Sequence, residues 1–211
     1  MNCIGIIGAM ETEVARLKEM MEDVTVVTKA SMEFYQGTLK GKKAVVVRSG
    51  IGKVNAGICA QILADVFQVD ALINTGIAGS LNNDINIGDI VLSTDVVQHD
   101  VDAGAFGYKK GEISPDGTAF FPGRRKAPSA GSRCLQGGES GDPGFPGRIA
   151  SGDQFICDRA VKNDIRDTFG AMQWRWKVQS IGQAAWLNQV PFADQFVPFQ
   201  ISADDSTGME Y

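Results

Sequence analysis

The sequence predicts an α/β domain in which a largely buried sheet is layered with helices. Three observations carry that reading. Short β-branched apolar runs alternate with segments of helical periodicity, two of those runs close on glycine-rich blocks, and a chain of 211 residues with 44% apolar composition can bury one sizeable core. The length favours a single domain spanning residues 1–211.

The elements follow in order. Residues 2–8 (Asn-Cys-Ile-Gly-Ile-Ile-Gly) form an apolar strand, after which Met10, Val14, Leu17 and Met21 fall at helical spacing. Glu11 and Glu13 occupy the first turn of that helix, where the helix dipole favours acids. Strands are expected at 23–28, 32–39 and 43–48, then a helix at 53–68 whose Val54, Ile58, Ile62 and Val66 share one face. A strand at 70–75, another opening at Gly88-Asp89-Ile90-Val91, and a helix at 158–169 started by Asp158 complete the pattern.

Composition narrows the function. The net charge is −5 and no basic run exists, which argues against a nucleic-acid or anionic-membrane surface, since both need clustered Lys and Arg. No apolar segment approaches the roughly 20 residues that span a bilayer, and acidic residues stand where a signal peptide would be basic. A soluble cytoplasmic protein acting on a small molecule is therefore expected. Cys3, Cys59, Cys134 and Cys157 lack paired spacing and the single histidine, His99, completes no zinc pattern with them. They read as reduced thiols, mostly in the core, and neither metal nor cofactor is called for. A loop histidine is more often a surface or packing residue than a catalytic one, so His99 stays outside the site.

The glycine blocks are Ser49-Gly50-Ile51-Gly52-Lys53-Val54 and Asn74-Thr75-Gly76-Ile77-Ala78-Gly79-Ser80. Each reads as a strand ending in a loop whose backbone can approach a ligand closely. Two ordinary strand-to-helix turns explain either block equally well. A dinucleotide site is a weaker reading, because residues 5–10 lack the third glycine of the G-x-G-x-x-G pattern and no acidic residue ends a second strand.

Three segments break the α/β pattern. Residues 119–147 carry four prolines and seven glycines with no apolar period, the composition of a long flexible loop. Residues 172–180 (Met-Gln-Trp-Arg-Trp-Lys-Val-Gln-Ser) crowd two of three tryptophans together, and residues 193–202 place Pro198 inside a segment expected to be a core strand.

Five ordered motifs carry a family resemblance. Ile4-Gly5-Ile6-Ile7-Gly8-Ala9-Met10-Glu11-Thr12-Glu13-Val14, the two glycine blocks, Ala105-Phe106-Gly107-Tyr108 and Ser151-Gly152-Asp153-Gln154-Phe155-Ile156 resemble the 5′-methylthioadenosine/S-adenosylhomocysteine nucleosidases. The agreement covers about 1–118, 148–171, 181–192 and 203–211. It implies a three-layer α/β/α sandwich with a central mixed sheet, nucleoside phosphorylase-like, a homodimer, and hydrolysis of the N-glycosidic bond to release adenine in methionine salvage.

The resemblance also implies roles. Breaking a ribosyl C1′–N9 bond builds oxocarbenium-like charge on the sugar, so the reaction needs a base for water, an acid for the leaving adenine and groups that grip the ribose hydroxyls. By resemblance Glu13 holds and activates the water; from the residues alone it reads more readily as a glutamate serving the helix dipole, and the resemblance reverses that order. Ala9 belongs to the same loop, and Met10 and Ile51 line the ribose and alkylthio region. Ala78 and Gly79 lie beside purine and ribose, Phe155 stacks on adenine and Ile156 offers its backbone to the adenine edge. Phe106 reaches into the partner subunit's pocket. Without the resemblance, Phe155 is an ordinary core aromatic and Phe106 an exposed or loop-packing one.

Two of the family's motifs are absent. A Val-Glu-Met-Glu-Gly motif supplies the glutamate that grips the ribose, and an Arg-Ala-Ile-Ser-Asp motif supplies the aspartate that protonates adenine at N7; they fall due at 172–180 and 193–202. Codons exist for Met172–Ser180 that, read from the third base, give Ala-Val-Glu-Met-Glu-Gly-Ala. Codons for Ala193–Ser202 likewise give Arg-Ser-Val-Arg-Ala-Ile-Ser-Asp-Lys, and those for Pro122–Leu135, read from the second base, give a helix-compatible run. Asp204 and Asp205 fall beyond the motif and cannot inherit the acid's role. The chain as written is expected to be an impaired enzyme that ends short of the family's C-terminal helix. Two other functions remain open: a purine nucleoside phosphorylase or other purine nucleoside hydrolase, and a non-catalytic nucleoside-binding protein. Apart from Arg48, the loops offer little of the cationic clamp that a phosphorylase needs.

Overall fold

In a computed structural model, the structure describes residues 3–82, 84–85, 89–113, 119–122 and 145–198, with side chains described through Asp194. The chain forms two compact units: Met1–Gly76 with Lys177–Gln195, and Ile77–Trp176 with Phe196–Tyr211. The boundary at Gly76/Ile77 falls within a strand.

In the first unit, β1 (Cys3–Gly8) pairs in parallel with β4 (Lys42–Arg48) on one side and β5 (Ala71–Ser80) on the other. Ala44–Val47 is buried throughout, the pattern of a strand covered on both faces. Outside β4 lie β3 (Met32–Leu39) and β2 (Met21–Lys29), both antiparallel. Their two-residue connections, Ala30-Ser31 and Lys40-Gly41, have positive φ at both positions, the backbone of type I′ turns that match strand twist. Helix α1 (Glu11–Glu19) docks Val14 into a cluster with Met21, Ala44 and Val46.

Helix α2 (Lys53–Asp65) corrects the expected face. It buries Ala56, Cys59, Ala60 and Leu63, whereas Val54 is 73% exposed and Ile58 and Val66 are also exposed. Small residues on the opposite face allow the helix to lie close to its neighbours, so side-chain size decided the orientation where hydrophobicity alone pointed the other way. The helix also ends earlier than residue 68.

In the second unit, β6 (Val91–Gln98) pairs in parallel with β8 (Phe145–Ser151), and β8 in parallel with β9 (Ala171–Arg175). The two-residue strand β7 (Phe121–Pro122) adds to β6 antiparallel. Helix α3 (Arg159–Phe169) is capped at both ends: Asp158 accepts from the N–H groups of Ala160 and Val161, and Gly170 closes it in the left-handed conformation. Arg148 pairs with Asp95 through two hydrogen bonds and donates to the carbonyl of Phe169 at 2.6 Å, fixing β8 to β6 and to the end of α3.

The second glycine block does not end a strand, contrary to expectation. β5 runs through it to Ser80 because Gly79 and Ser80 find antiparallel partners in Trp174 and Gln173 of β9. Residues 172–180 likewise form regular structure, the strand β9 followed by α4 (Val178–Leu187). The last strand, β10 (Phe192–Pro198), ends on its proline, where no further ladder bond is lost. Most of the proline-rich stretch, residues 123–144, lies outside the described residues, as do Gly88, Asp204 and Asp205. Among the described residues no helix is long and apolar enough to cross a membrane.

Candidate active site

In the first unit, the end of β1 turns directly into α1. A Cβ on Gly8 would collide with Val14 and crowd Glu13, so glycine lets the helix start against the strand. Glu13 reaches back over this turn, and its Oε2 accepts from the backbone N–H of Ala9 and, at 3.1 Å, of Met10. The carboxylate caps the helix and is at the same time fixed at the rim of the sheet. Ala9, Met10 and Glu13 are all half-buried, a position open to a ligand.

Beside this turn, the first glycine block is a true loop. The Ser49 hydroxyl donates to the carbonyls of Gly8 (3.2 Å) and Gly50 (2.9 Å), and the Ser49 N–H also bonds Gly8. Gly50 and Gly52 adopt positive φ, and the Asn55 side chain donates to the Ile51 carbonyl at 2.7 Å. Ile51 is left exposed.

In the second unit, Ala78 and Gly79 are buried in β5, Ile156 is buried and Phe155 is 39% exposed. The Phe155 loop is held by the Gly152 N–H, which donates to the carbonyl of Arg175, and by the Asp153 N–H, which donates to Asp100. His99 packs beside Gly152, where a Cβ would strike the imidazole. Phe106 lies in a single 3-10 turn (Gly104–Phe106) and is 83% exposed.

Of three polar features, one was legible beforehand: from the sequence, Arg175, Lys177 and Gln179 already read as replacements at a buried site, whereas the Asn74–Asp194 pair and the target of Trp174 escaped it. Asn74 donates to Asp194 at 3.0 Å, both side chains fully buried in the first unit. The only advance signal was an asparagine within an apolar run. Secondly, β9 and the start of α4 bury Gln173, Arg175, Lys177 and Gln179, and among the described residues both ends of the Gln173 amide lack a hydrogen-bond partner. Thirdly, the Trp174 indole lies against Gly79 and meets Phe155 edge-on. The crowding of tryptophans was visible beforehand; its target was not.

The cysteines correct an expectation. Of those described, Cys59 is buried, Cys3 half-buried and Cys157 exposed, so they are not mostly core. Burial pushes the Cys59 thiol up to about 12, against a smaller lowering by Lys177, so it stays protonated at neutral pH and is no nucleophile. Among the described residues no group of His, Cys, Asp and Glu is arranged to hold a metal.

A sequence model of the phosphorylase superfamily matches residues 3–174. A 5′-methylthioadenosine/S-adenosylhomocysteine nucleosidase of Shewanella piezotolerans is 42% identical over 190 residues, covering 90% of this chain and 82% of its own. The chain belongs to this nucleosidase family, within the phosphorylase superfamily. Solved structures of the nucleosidases agree in fold. That of Colwellia psychrerythraea 34H, in complex with adenine, is 37% identical with a TM-score of 0.85, covering 93% of this chain and 82% of that one. That of Campylobacter jejuni is 30% identical with a TM-score of 0.91, covering 100% and 90%. The expected fold, a nucleoside phosphorylase-like mixed sheet with helices, is the one found.

Proposed function

We propose that the chain descends from an enzyme that hydrolyses the N-glycosidic bond of 5′-methylthioadenosine and S-adenosylhomocysteine, and that as written it does so poorly. The observation that supports the first half is the Glu13 carboxylate, immobilised by two backbone N–H groups at the glycine turn after β1. Held there, it orients a water for attack on C1′. As the C1′–N9 bond breaks, its electron pair leaves with adenine, which must take up a proton. Ala9, Met10 and Ile51 serve the sugar and its 5′ substituent; Ala78, Gly79, Phe155 and the Ile156 backbone serve the purine. The second half is supported by the polar groups buried at 173–179, where the family's ribose-gripping glutamate falls due, and by the absence of the Ile-Ser-Asp acid.

The reading includes one domain over residues 1–211, supported by a family match that runs through the Gly76/Ile77 boundary. It also includes a homodimer, supported by the exposed Phe106 and by the apolar stripe of Val54 and Ile58 on α2 with Val66 at its C-cap. Ile58→Asp should leave a monomer in analytical ultracentrifugation; an unchanged dimer would remove that support. Cytoplasmic residence fits the unpaired thiols of Cys3, Cys59 and Cys157.

Adenine release from methylthioadenosine by protein of verified mass tests the whole. Slow release is expected, lowered a further hundredfold or so by Glu13→Gln through loss of general-base catalysis. Normal turnover would refute the impairment, and release that depends on phosphate would mean a phosphorylase. Binding in calorimetry with no turnover would favour the nucleoside-binding reading, which the missing acid supports.

A further inference from the structure

We infer that the purine subsite of the second unit is filled by the chain's own Trp174 indole, an internal plug that adenine must displace. The inference rests on the proposed purine-binding role of Ala78, Gly79, Phe155 and Ile156. A planar base needs two things there: bare backbone to lie against and an aromatic face to stack on. Gly79 offers the first because it has no Cβ, yet the space a Cβ would enter already holds Nε1, Cε2 and Cδ1 of Trp174. Phe155 offers the second, yet Trp174 meets its ring edge-on at 5.3 Å between centroids and Trp176 leans over it at 5.4 Å and 40°. The two indoles brace each other at 6.3 Å. One side chain therefore touches both surfaces that the base requires.

The indole is also seated at depth. Trp174 is 4% exposed and shares a buried cluster with Ile156, Leu81, Ala150 and Phe169. Its register opposite Gly79 in the β5–β9 ladder fixes the ring over that glycine, so a rotamer change alone must carry it out through packed neighbours. Among the described residues its Nε1–H finds no acceptor. A buried tryptophan normally satisfies that donor, so packing rather than polar complementarity put the ring here. Adenine binds only the fraction of molecules in which the ring has left, and its apparent affinity falls by that fraction.

The test is equilibrium dialysis of adenine against the full chain and against Trp174→Ala and Trp174→Leu, the second retaining apolar volume should the first not fold. Both variants are expected to bind adenine at least tenfold more tightly than the unmodified chain, with the gain lost on adding Phe155→Ala. If the unmodified chain binds as tightly as the variants while Phe155→Ala weakens all of them, adenine uses the subsite and no plug exists. If Phe155→Ala changes nothing in any background, the purine-binding reading fails and takes the plug with it. The unmodified chain supplies a second measurement: saturating adenine should raise acrylamide quenching of its tryptophan fluorescence as the indole is expelled, and unchanged quenching overturns the proposal.

Discussion

The combined change Gln173→Leu, Arg175→Met, Lys177→Met and Gln179→Leu is expected to stabilise the protein by roughly 3 kcal/mol or more. All four side chains are buried, Lys177 to 2% exposure. An amide left without partners at both ends, as in Gln173, costs about 1–3 kcal/mol relative to an apolar group of similar shape. Replacing buried charges by well-packed apolar residues is commonly neutral or favourable by about 1–4 kcal/mol even where the charges had partners. For a chain of this size each kcal/mol moves the thermal midpoint by roughly 2–4 °C, so a rise of about 6–12 °C should appear in calorimetry. A midpoint at or below that of the unmodified chain would mean that these groups are well satisfied where they lie.

Restoring the two alternative-frame segments is expected to raise adenine release by about 10²–10⁴-fold, the range a positioned general acid supplies. The variant carries Ala-Val-Glu-Met-Glu-Gly-Ala from position 172 and Arg-Ser-Val-Arg-Ala-Ile-Ser-Asp-Lys from position 193. The glutamate so introduced has a ligand to meet, the ribose hydroxyls. Changing the restored aspartate to asparagine should abolish most of the gain while leaving adenine binding intact. No gain in the restored chain would sink the frame hypothesis as an account of function, and a coding DNA with one uninterrupted frame would sink it as an account of origin.

Elements with a strong local signal were legible in the sequence. Asp158 and Gly170 bracket α3 through cap chemistry, and the Val45–Val47 run announces a strand buried on both faces. The orientation of α2 was not, because its apolar residues outnumber what its buried face can accept and the small side chains of Ala56, Cys59 and Ala60 decided the packing. Likewise Asn74–Ser80 looked like a loop until a partner strand supplied its ladder, a pairing between residues far apart in sequence. Glu13 shows how a site can be half legible. The helix-terminus reading is met by its two hydrogen bonds to the N–H groups of Ala9 and Met10, while the water-activating role belongs to the proposed function.

The Ser49 clasp has a consequence for how such a site could change over time. The loop is anchored at its root by hydrogen bonds to Gly8 and shaped by two positive-φ glycines, with Asn55 holding the Ile51 carbonyl. None of these restraints involves the Ile51 side chain, which projects into solvent. On the role proposed for Ile51, selectivity for the group at the sugar's 5′ end can therefore drift at position 51 while stability stays constant, so the loop would separate what the protein accepts from whether it folds.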